Sequence, residues 1–246
     1  MPLLSLPIVT ARRETPRNLV IRLALGQRPF AYQAGQYVLL AQRGLGDRRP
    51  YSIACAPAEA ARADALEFLI QVGEDGSPGP HLPQLAEGVV LDVEGPEGSF
   101  TLPTGRLGPD VLFVAGGTGI APVRAMMHQV LEVPDPAVGL VQSGRSPADL
   151  AYADEFRALA AAGRIHLVET VTREAPDSWQ GIRGRIGRAE LESAMTGRQP
   201  LCFVCGPDSL VEDVPRLLNQ LGVPASRIYT EHWADQAARE LKATES

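Results

Sequence analysis

The chain is poor in cysteine, with 3 in 246 residues. That excludes a disulfide framework and any four-cysteine zinc or iron–sulfur centre built from this chain alone. So few thiols suit a reducing cytoplasm. Aromatic residues are also scarce, at 5%, which argues against a stacking platform for single-stranded nucleic acid. Positive charge is in deficit: 23 Lys and Arg against 29 Asp and Glu leave a net −6. Sequence-independent nucleic-acid binding therefore lacks its basic footprint. No run approaches the ~18 apolar residues of a membrane-spanning helix. The opening MPLLSLPIVTARRE has no charged segment ahead of its short apolar run, and two prolines interrupt that run. No secretory leader is expected. No His/Cys/Asp/Glu grouping has metal-ligand spacing.

What is present divides into two textures. Residues 1–103 read as short strands separated by Gly, Pro or Asp clusters: 20–25, 35–42, 50–55, 66–72 and 89–95. Without a long helix between them, strands at this spacing suggest an antiparallel barrel or sandwich. After the Gly/Pro-rich stretch TLPTGRLGPD (101–110), strands alternate with helices. Strands are expected over 111–116, 137–143, 165–172, 201–206 and 227–233. Val123, Met126, Met127, Val130 and Leu131 follow the first with helical spacing. Ser146 to Asp149 resembles the capped start of a second helix. A third is expected over 207–221, where Pro215 should kink or restart it. Alternation of this kind predicts a parallel sheet covered by helices over 108–246.

Three motifs carry chemistry. Arg49-Pro50-Tyr51-Ser52 lies on an expected strand. The Arg supplies a forked cation suited to phosphate. Tyr51, two residues on, shares its face, and Ser52 adds a hydroxyl. Alone, the run reads equally as an ordinary strand with a surface Arg and a packed Tyr. Gly116-Gly117-Thr118-Gly119-Ile120-Ala121-Pro122 joins the first parallel strand to its helix. That is where glycines and a helix N-terminus can receive phosphate. Cys205-Gly206-Pro207 ends a later strand, on the side where open α/β sheets bind ligands. Cys202 makes a CxxC spacing with Cys205, but strand residues three apart face oppositely, so Cys202 is expected in the core.

Together these motifs, with GQYV (35–38), GPEGSF (95–100) and the closing TEHW (230–233), resemble the ferredoxin–NADP(+) reductase-like family of flavoproteins over nearly the whole chain. The resemblance implies an FAD-binding antiparallel β-barrel domain over 1–103. It implies an NAD(P)-binding α/β domain with a C-terminal tail over 108–246. Hydride would pass from the nicotinamide C4 to flavin N5. By position, Arg49 would meet the flavin phosphates, Tyr51 would pack against the ring and Ser52 would approach N5, with Pro50 also among the flavin-binding residues. Gly116, Gly117, Thr118 and Gly119 would cradle the nicotinamide nucleotide. Cys205, with Gly206 and Pro207, would sit beside the nicotinamide. Glu231 would make a polar contact or relay a proton, and Trp233 would shield the ring. The family's Gly-x-x-Ser/Thr turn for the flavin pyrophosphate corresponds to Gly76-Ser77-Pro78-Gly79. There the hydroxyl position is Gly79, so backbone N–H groups or Ser77 would have to substitute.

Arg145 follows the second parallel strand with no acid at its end, and Thr172-Arg173-Glu174 resembles a phosphate-binding segment of NADPH-using members. With Arg183 and Arg185 nearby, NADPH is favoured over NADH. No fused cluster-binding cysteine run exists, so electrons must leave to a separate acceptor. Residues 1–55 carry a balance of +6 and the remainder −12. A basic face around Arg12, Arg13, Arg43, Arg48 and Arg49 would suit a small acidic carrier, ferredoxin or flavodoxin. Alternatives are an NADH-dependent reductase component of an oxygenase, a free-flavin reductase, and a non-catalytic redox-sensing subunit.

Overall fold

The structure, a computed structural model, describes residues 3–73, 78–103 and 110–232. The N-terminal half is built from β1 (Leu4–Thr15), β2 (Asn18–Ala24), β3 (Tyr37–Gln42), β4 (Arg49–Ser52), β5 (Ala65–Gln71) and β6 (Val90–Glu97). They form one antiparallel sheet in the order β4-β3-β6-β1-β2-β5. Its two edges meet: Ile53 bridges Phe68, and Ala54 N–H donates to the Glu67 carbonyl at 2.8 Å. The expected barrel is therefore closed, which removes its exposed edges. Leu6, Ile8, Ile21, Leu40, Ile53 and Phe68 fill its interior. Helix α1 (Pro57–Ala63) sits between β4 and β5. Its N-terminus is closed by the Glu59 carboxylate, which accepts from Ala56 N–H at 2.8 Å.

The long β1 was not expected from the sequence. Its first residues, 4–7, pair with β6, and 8–15 pair with β2. Within the pairing to β2 the register shifts between 8 and 10 and between 13 and 15.

The C-terminal half contains β7 (Asp110–Gly116), β8 (Ala137–Gly144), β9 (His166–Val171), β10 (Ile182–Arg183), β11 (Leu201–Gly206) and β12 (Ile228–His232). All neighbours are parallel, in the order β10-β9-β8-β7-β11-β12. Helices α2 (Ile120–Val130), α3 (Ala153–Ala161), α4 (Arg188–Ala194) and α5 (Asp208–Gln220) accompany it. Two local expectations change. Ser146 and Asp149 do form a reciprocal cap, with Oγ 2.7 Å from Oδ2, but it closes a single 3₁₀ turn (Pro147–Asp149). Tyr152, at φ 59°, then redirects the chain before α3 begins. And α5 runs 13 residues with Pro215 inside it. The burial of Val211, Val214 and Leu218 on one face holds it across the lost N–H bond.

One apolar cluster spans both halves. Val20, Ala54, Leu69 and Phe100 pack with Ile120, Met126, Phe203 and Cys205. Phe100 meets Phe203 edge-on, with centroids 5.9 Å apart. At the rim of this seam lies a buried ionic cluster. Arg124, on α2 and 6% exposed, donates to the Ala54 carbonyl at 2.8 Å. Its other donors reach Glu155 at 3.0 Å and Glu59 at 3.3 Å. Glu67 lies 3.7 Å away, and the Arg124 guanidinium covers the Tyr152 ring at 4.9 Å. His128, one turn on, contacts Glu155 at 2.6 Å. Burial alone would raise the Glu155 carboxyl. The His128 hydrogen bond and the Arg124 charge outweigh it and hold that carboxyl below its ordinary value of 4.5.

Two outcomes follow from this seam. Gly35 is at φ 100°, and a Cβ there would overlap the Phe100 carbonyl oxygen and press on Met126. Gly35→Ala should cost about 2 kcal/mol or more in urea unfolding; an unchanged midpoint contradicts this packing. Glu155 contributes stability that is complete above 4.5 and lost as the pH falls through its lower folded-state value. Glu155→Gln should therefore lose stability less steeply than wild type on acidification below 4.5. Equal slopes count against the cluster.

Candidate functional site

The order of the parallel sheet reverses between β7 and β11, so their carboxyl ends open a crevice. Glycines set how closely the two ends approach. A Cβ on Gly119 would lie 2.8 Å from the Gly206 nitrogen. One on Gly206 would lie 3.1 Å from the Gly116 nitrogen, and one on Gly116 3.0 Å from Pro207. Gly119 and Gly206 thus serve packing of backbone on backbone, and Gly116 makes room for the Pro207 and Leu210 side chains. Gly117, at φ 57° and exposed, remains to shape the turn toward solvent. The turn Gly117–Gly119 leads directly into α2, whose first N–H groups lack helical partners.

This turn borders a cavity of about 440 Å³. Gly116, Gly117 and Thr118 line it, and so do Arg145, Arg173 and Arg185. The chain holds Arg145 and Arg173 side by side: Arg173 N–H donates to the Arg145 carbonyl at 2.9 Å, extending the β8–β9 pairing past its end. Arg183, singled out from the sequence, is not among the lining residues. Its guanidinium donates to the carbonyls of Ala175 and Pro176 at 2.9 and 2.8 Å. Gly184, at φ 124°, breaks the strand alternation after it and lets Arg185 line the cavity instead.

Cys205 and Glu231 are register partners on β11 and β12, and His232 stands opposite Gly206. Cys205 is 2% exposed and belongs to the cluster that joins the halves. Cys202 faces the other way, into the cluster under α4 and α5, and burial pushes its thiol up to about 12. No disulfide joins the described cysteines. Pro207 precedes α5 as its cap residue.

On β4, Arg49 is half exposed and pairs with Asp47 at 3.2 Å. Tyr51 is half buried. Its hydroxyl lies 2.6 Å from His81 Nε2, and the two rings lie 5.9 Å apart at 21°. Burial pushes the Tyr51 phenol up to about 12 against the lowering charge of Arg49. His81 is 2% exposed. Desolvation, then the Arg49 charge, lowers its pKa, and the ring's other nitrogen has no hydrogen-bond partner among the described residues. Ser52 sits opposite Tyr37, partly buried. Two residues beyond it, Ala54 enters the seam beside Ile120 and Cys205. The seam therefore gathers the chain just beyond the RPYS strand, the end of the glycine turn and the CGP strand end. Gly79, at φ 126°, borders His81. Gly76, Ser77 and Trp233 lie outside the described residues.

The sequence reading missed Arg124, although a charged residue within the apolar run of α2 was a visible signal. It also missed that Arg17, Asn18 and Gln71 of the barrel line the cavity. Nothing local marks them.

Residues 9–102 match the family model described as oxidoreductase FAD-binding domain. Residues 113–216 match that described as oxidoreductase NAD-binding domain. The chain is 35% identical over 239 residues to ferredoxin–NADP reductase B of Sorangium cellulosum, covering 92% of this chain and 96% of that one. It is 30% identical over 205 residues to the reductase component of phenol 2-monooxygenase from a Pseudomonas, covering 80% of this chain and 56% of that one. Among solved structures, a ferredoxin NADP+ reductase from Neisseria gonorrhoeae with bound FAD and NADP superposes with a TM-score of 0.75 at 23% identity, over 94% of this chain and 99% of that one. With both family models matched in order and one relative covered over almost its full length, the chain belongs to the ferredoxin–NADP(+) reductase-like family of FAD- and NAD(P)H-using oxidoreductases.

Proposed function

We propose that this protein takes electrons from NADPH, in preference to NADH, onto FAD and delivers them to a small separate one-electron carrier, a ferredoxin or flavodoxin. The observation that carries the nicotinamide choice is the grouping of Arg145, Arg173 and Arg185 around one cavity beside the glycine turn. A 2′-phosphate adds a dianion that guanidinium groups bind well. In this reading residues 1–103 form the FAD domain and 108–246 the nucleotide domain, in keeping with the two sheets and the two family models.

The residues on β4 fit FAD by their chemistry. A half-exposed guanidinium, a phenol ring and a hydroxyl occupy one four-residue strand. Arg49 holds flavin phosphate, Tyr51 backs the ring with its own position set by His81, and Ser52 offers its hydroxyl to the ring's polar edge. FAD, when bound, supplies two-electron acceptance from the nicotinamide and one-electron release. The chain's share is orientation and dryness. Gly117 and Thr118 receive the dinucleotide at the N-terminus of α2. Cys205 offers a small, buried side chain beside the nicotinamide. Glu231, its neighbour across the β11–β12 pair, supplies a polar contact or a proton relay. The seam packed around Phe203 and Phe100 keeps water from this side of the crevice.

The acceptor rests on likeness to the Sorangium reductase more than on surface charge. The basic N-terminal segment is partly neutralised in the fold by carboxylates from outside it: Arg22 pairs with Glu67 and Arg48 with Glu94. Likeness to the phenol monooxygenase reductase supports an oxygenase partner as the second reading; the three cavity arginines favour NADPH, against that reading's NADH. No described helix is long and apolar enough to cross a membrane. Described cysteines that form no disulfide are in keeping with a cytoplasmic protein.

Steady-state oxidation of NADPH and of NADH, with ferricyanide and then a ferredoxin as acceptor, tests the reading. NADPH should have the higher kcat/KM. Arg173→Ala should raise the NADPH KM about tenfold, the worth of one charge-assisted contact, and spare the NADH KM. A wild-type preference for NADH overturns the choice.

A further inference from the structure

The nucleotide cavity is not lined by the parallel half alone. Arg17, Asn18 and Gln71 reach it from the barrel, within the stretch matched by the FAD-binding family model. Arg17 lies at the tip of the β1–β2 hairpin, and its backbone is tied down. Its N–H donates to Thr15 Oγ1 at 3.2 Å, and its carbonyl accepts from Val72 N–H at 2.8 Å. Buried Thr15 also bonds the buried Asn18 side chain at 2.8 Å. The hairpin is fastened across the seam, where the Glu14 carboxylate accepts from Tyr152 N–H at 2.7 Å.

The Arg17 side chain is held far less firmly. It is 48% exposed, and its carboxylate partner, Asp149 Oδ1, lies 3.7 Å away, beyond hydrogen-bond distance. The other Asp149 oxygen is committed to Ser146, accepting from its N–H at 3.1 Å and its hydroxyl at 2.7 Å. A guanidinium on a fixed backbone thus stands at the cavity rim in a loose, exposed ion pair, which contributes little where it is. Its location favours the phosphate-loop side. The Gly117–Gly119 turn packs against β5, and Gln71, the last residue of β5, pairs with Asn18, next to Arg17.

We propose that Arg17 is a binding residue for the pyrophosphate of the nicotinamide dinucleotide, contributed by the barrel across the seam. This rests on the reading of the cavity as the nicotinamide-nucleotide site. The cavity carries four arginines, Arg17 among them, against Asp149 and Asp213, so a dianionic linkage is accommodated without stranding a carboxylate. On binding, Arg17 exchanges Asp149 for two phosphate oxygens that match its fork. Dinucleotide affinity then depends on the seam, because one of the ligand's anchors belongs to each half.

The test uses the FAD-loaded protein, with ADP-ribose as probe, which keeps the pyrophosphate and lacks both the nicotinamide and the 2′-phosphate. By calorimetry Arg17→Gln should weaken ADP-ribose binding about tenfold, and Arg17→Lys should recover part of the loss. In turnover the same variant should raise KM for NADH and NADPH to the same extent, with the effect on KM and not on kcat. Unchanged ADP-ribose affinity overturns the proposal. So does a KM rise confined to NADPH, which would move Arg17 to the 2′-phosphate. Wild-type protein that binds ADP-ribose and oxidises neither nucleotide leaves Arg17 a phosphate ligand but removes the redox reading. Wild-type protein that does not bind ADP-ribose removes the nucleotide assignment of the cavity and this proposal with it.

Discussion

The buried guanidinium of Arg124 is the constraint on which the rest depends. It stands on α2, the helix whose N-terminus opens the nucleotide cavity, and it bonds the carbonyl of Ala54, two residues beyond Ser52. One side chain thereby ties the strand that would hold flavin to the helix that would hold nicotinamide. Its charge is balanced locally by Glu59, Glu67 and Glu155, with Arg22 and His128 attending the same carboxylates. Such a buried cluster adds little net stability, because desolvation offsets most of the Coulomb gain. Its effect is on registry: removing one member strands charges of the other sign, typically at about 3–5 kcal/mol. The apolar part of the seam supplies adhesion, and the ionic part selects one alignment. For a reaction that needs two rings in close contact, alignment is the quantity that matters.

The glycines of the crevice serve the same end. Gly119 and Gly206 are small because the turn after β7 and the β11 strand end touch through backbone atoms, and Gly116 because Pro207 and Leu210 pack onto it. That contact brings the glycine turn beside Cys205, and parallel pairing brings Glu231 beside Cys205 in turn. A chain segment read as a ligand loop therefore also serves packing, while Gly116, Gly117 and Thr118 line the cavity.

Much of this was legible because it is local. The RPYS, GGTGIAP and CGP runs name their elements by turn chemistry and by apolar runs, and each lies on the strand or turn expected. Less was legible where partners are distant. β1 was hidden by Pro7, by its change of partner from β6 to β2 partway along, and by two register shifts against β2. The short helices α1 and α4 were missed because seven residues give too little periodicity. Arg183 and Arg185 are alike in sequence; only the turn at Gly184 decides which reaches the cavity. Arg17 and Arg124 acquire meaning only when the two halves are docked. Charge counting along the N-terminal segment overstated its basic face, since Arg22 and Arg48 find carboxylates from outside the segment, Glu67 and Glu94, once folded.

The central claim is that this single chain holds a flavin and presents it to a nicotinamide across a fixed seam. The most direct measurement is the visible spectrum of the purified protein, followed anaerobically as NADPH is added without any other flavin. Oxidised-flavin absorption that bleaches with NADPH is the expected result. A colourless protein that reduces only flavin supplied in solution contradicts it.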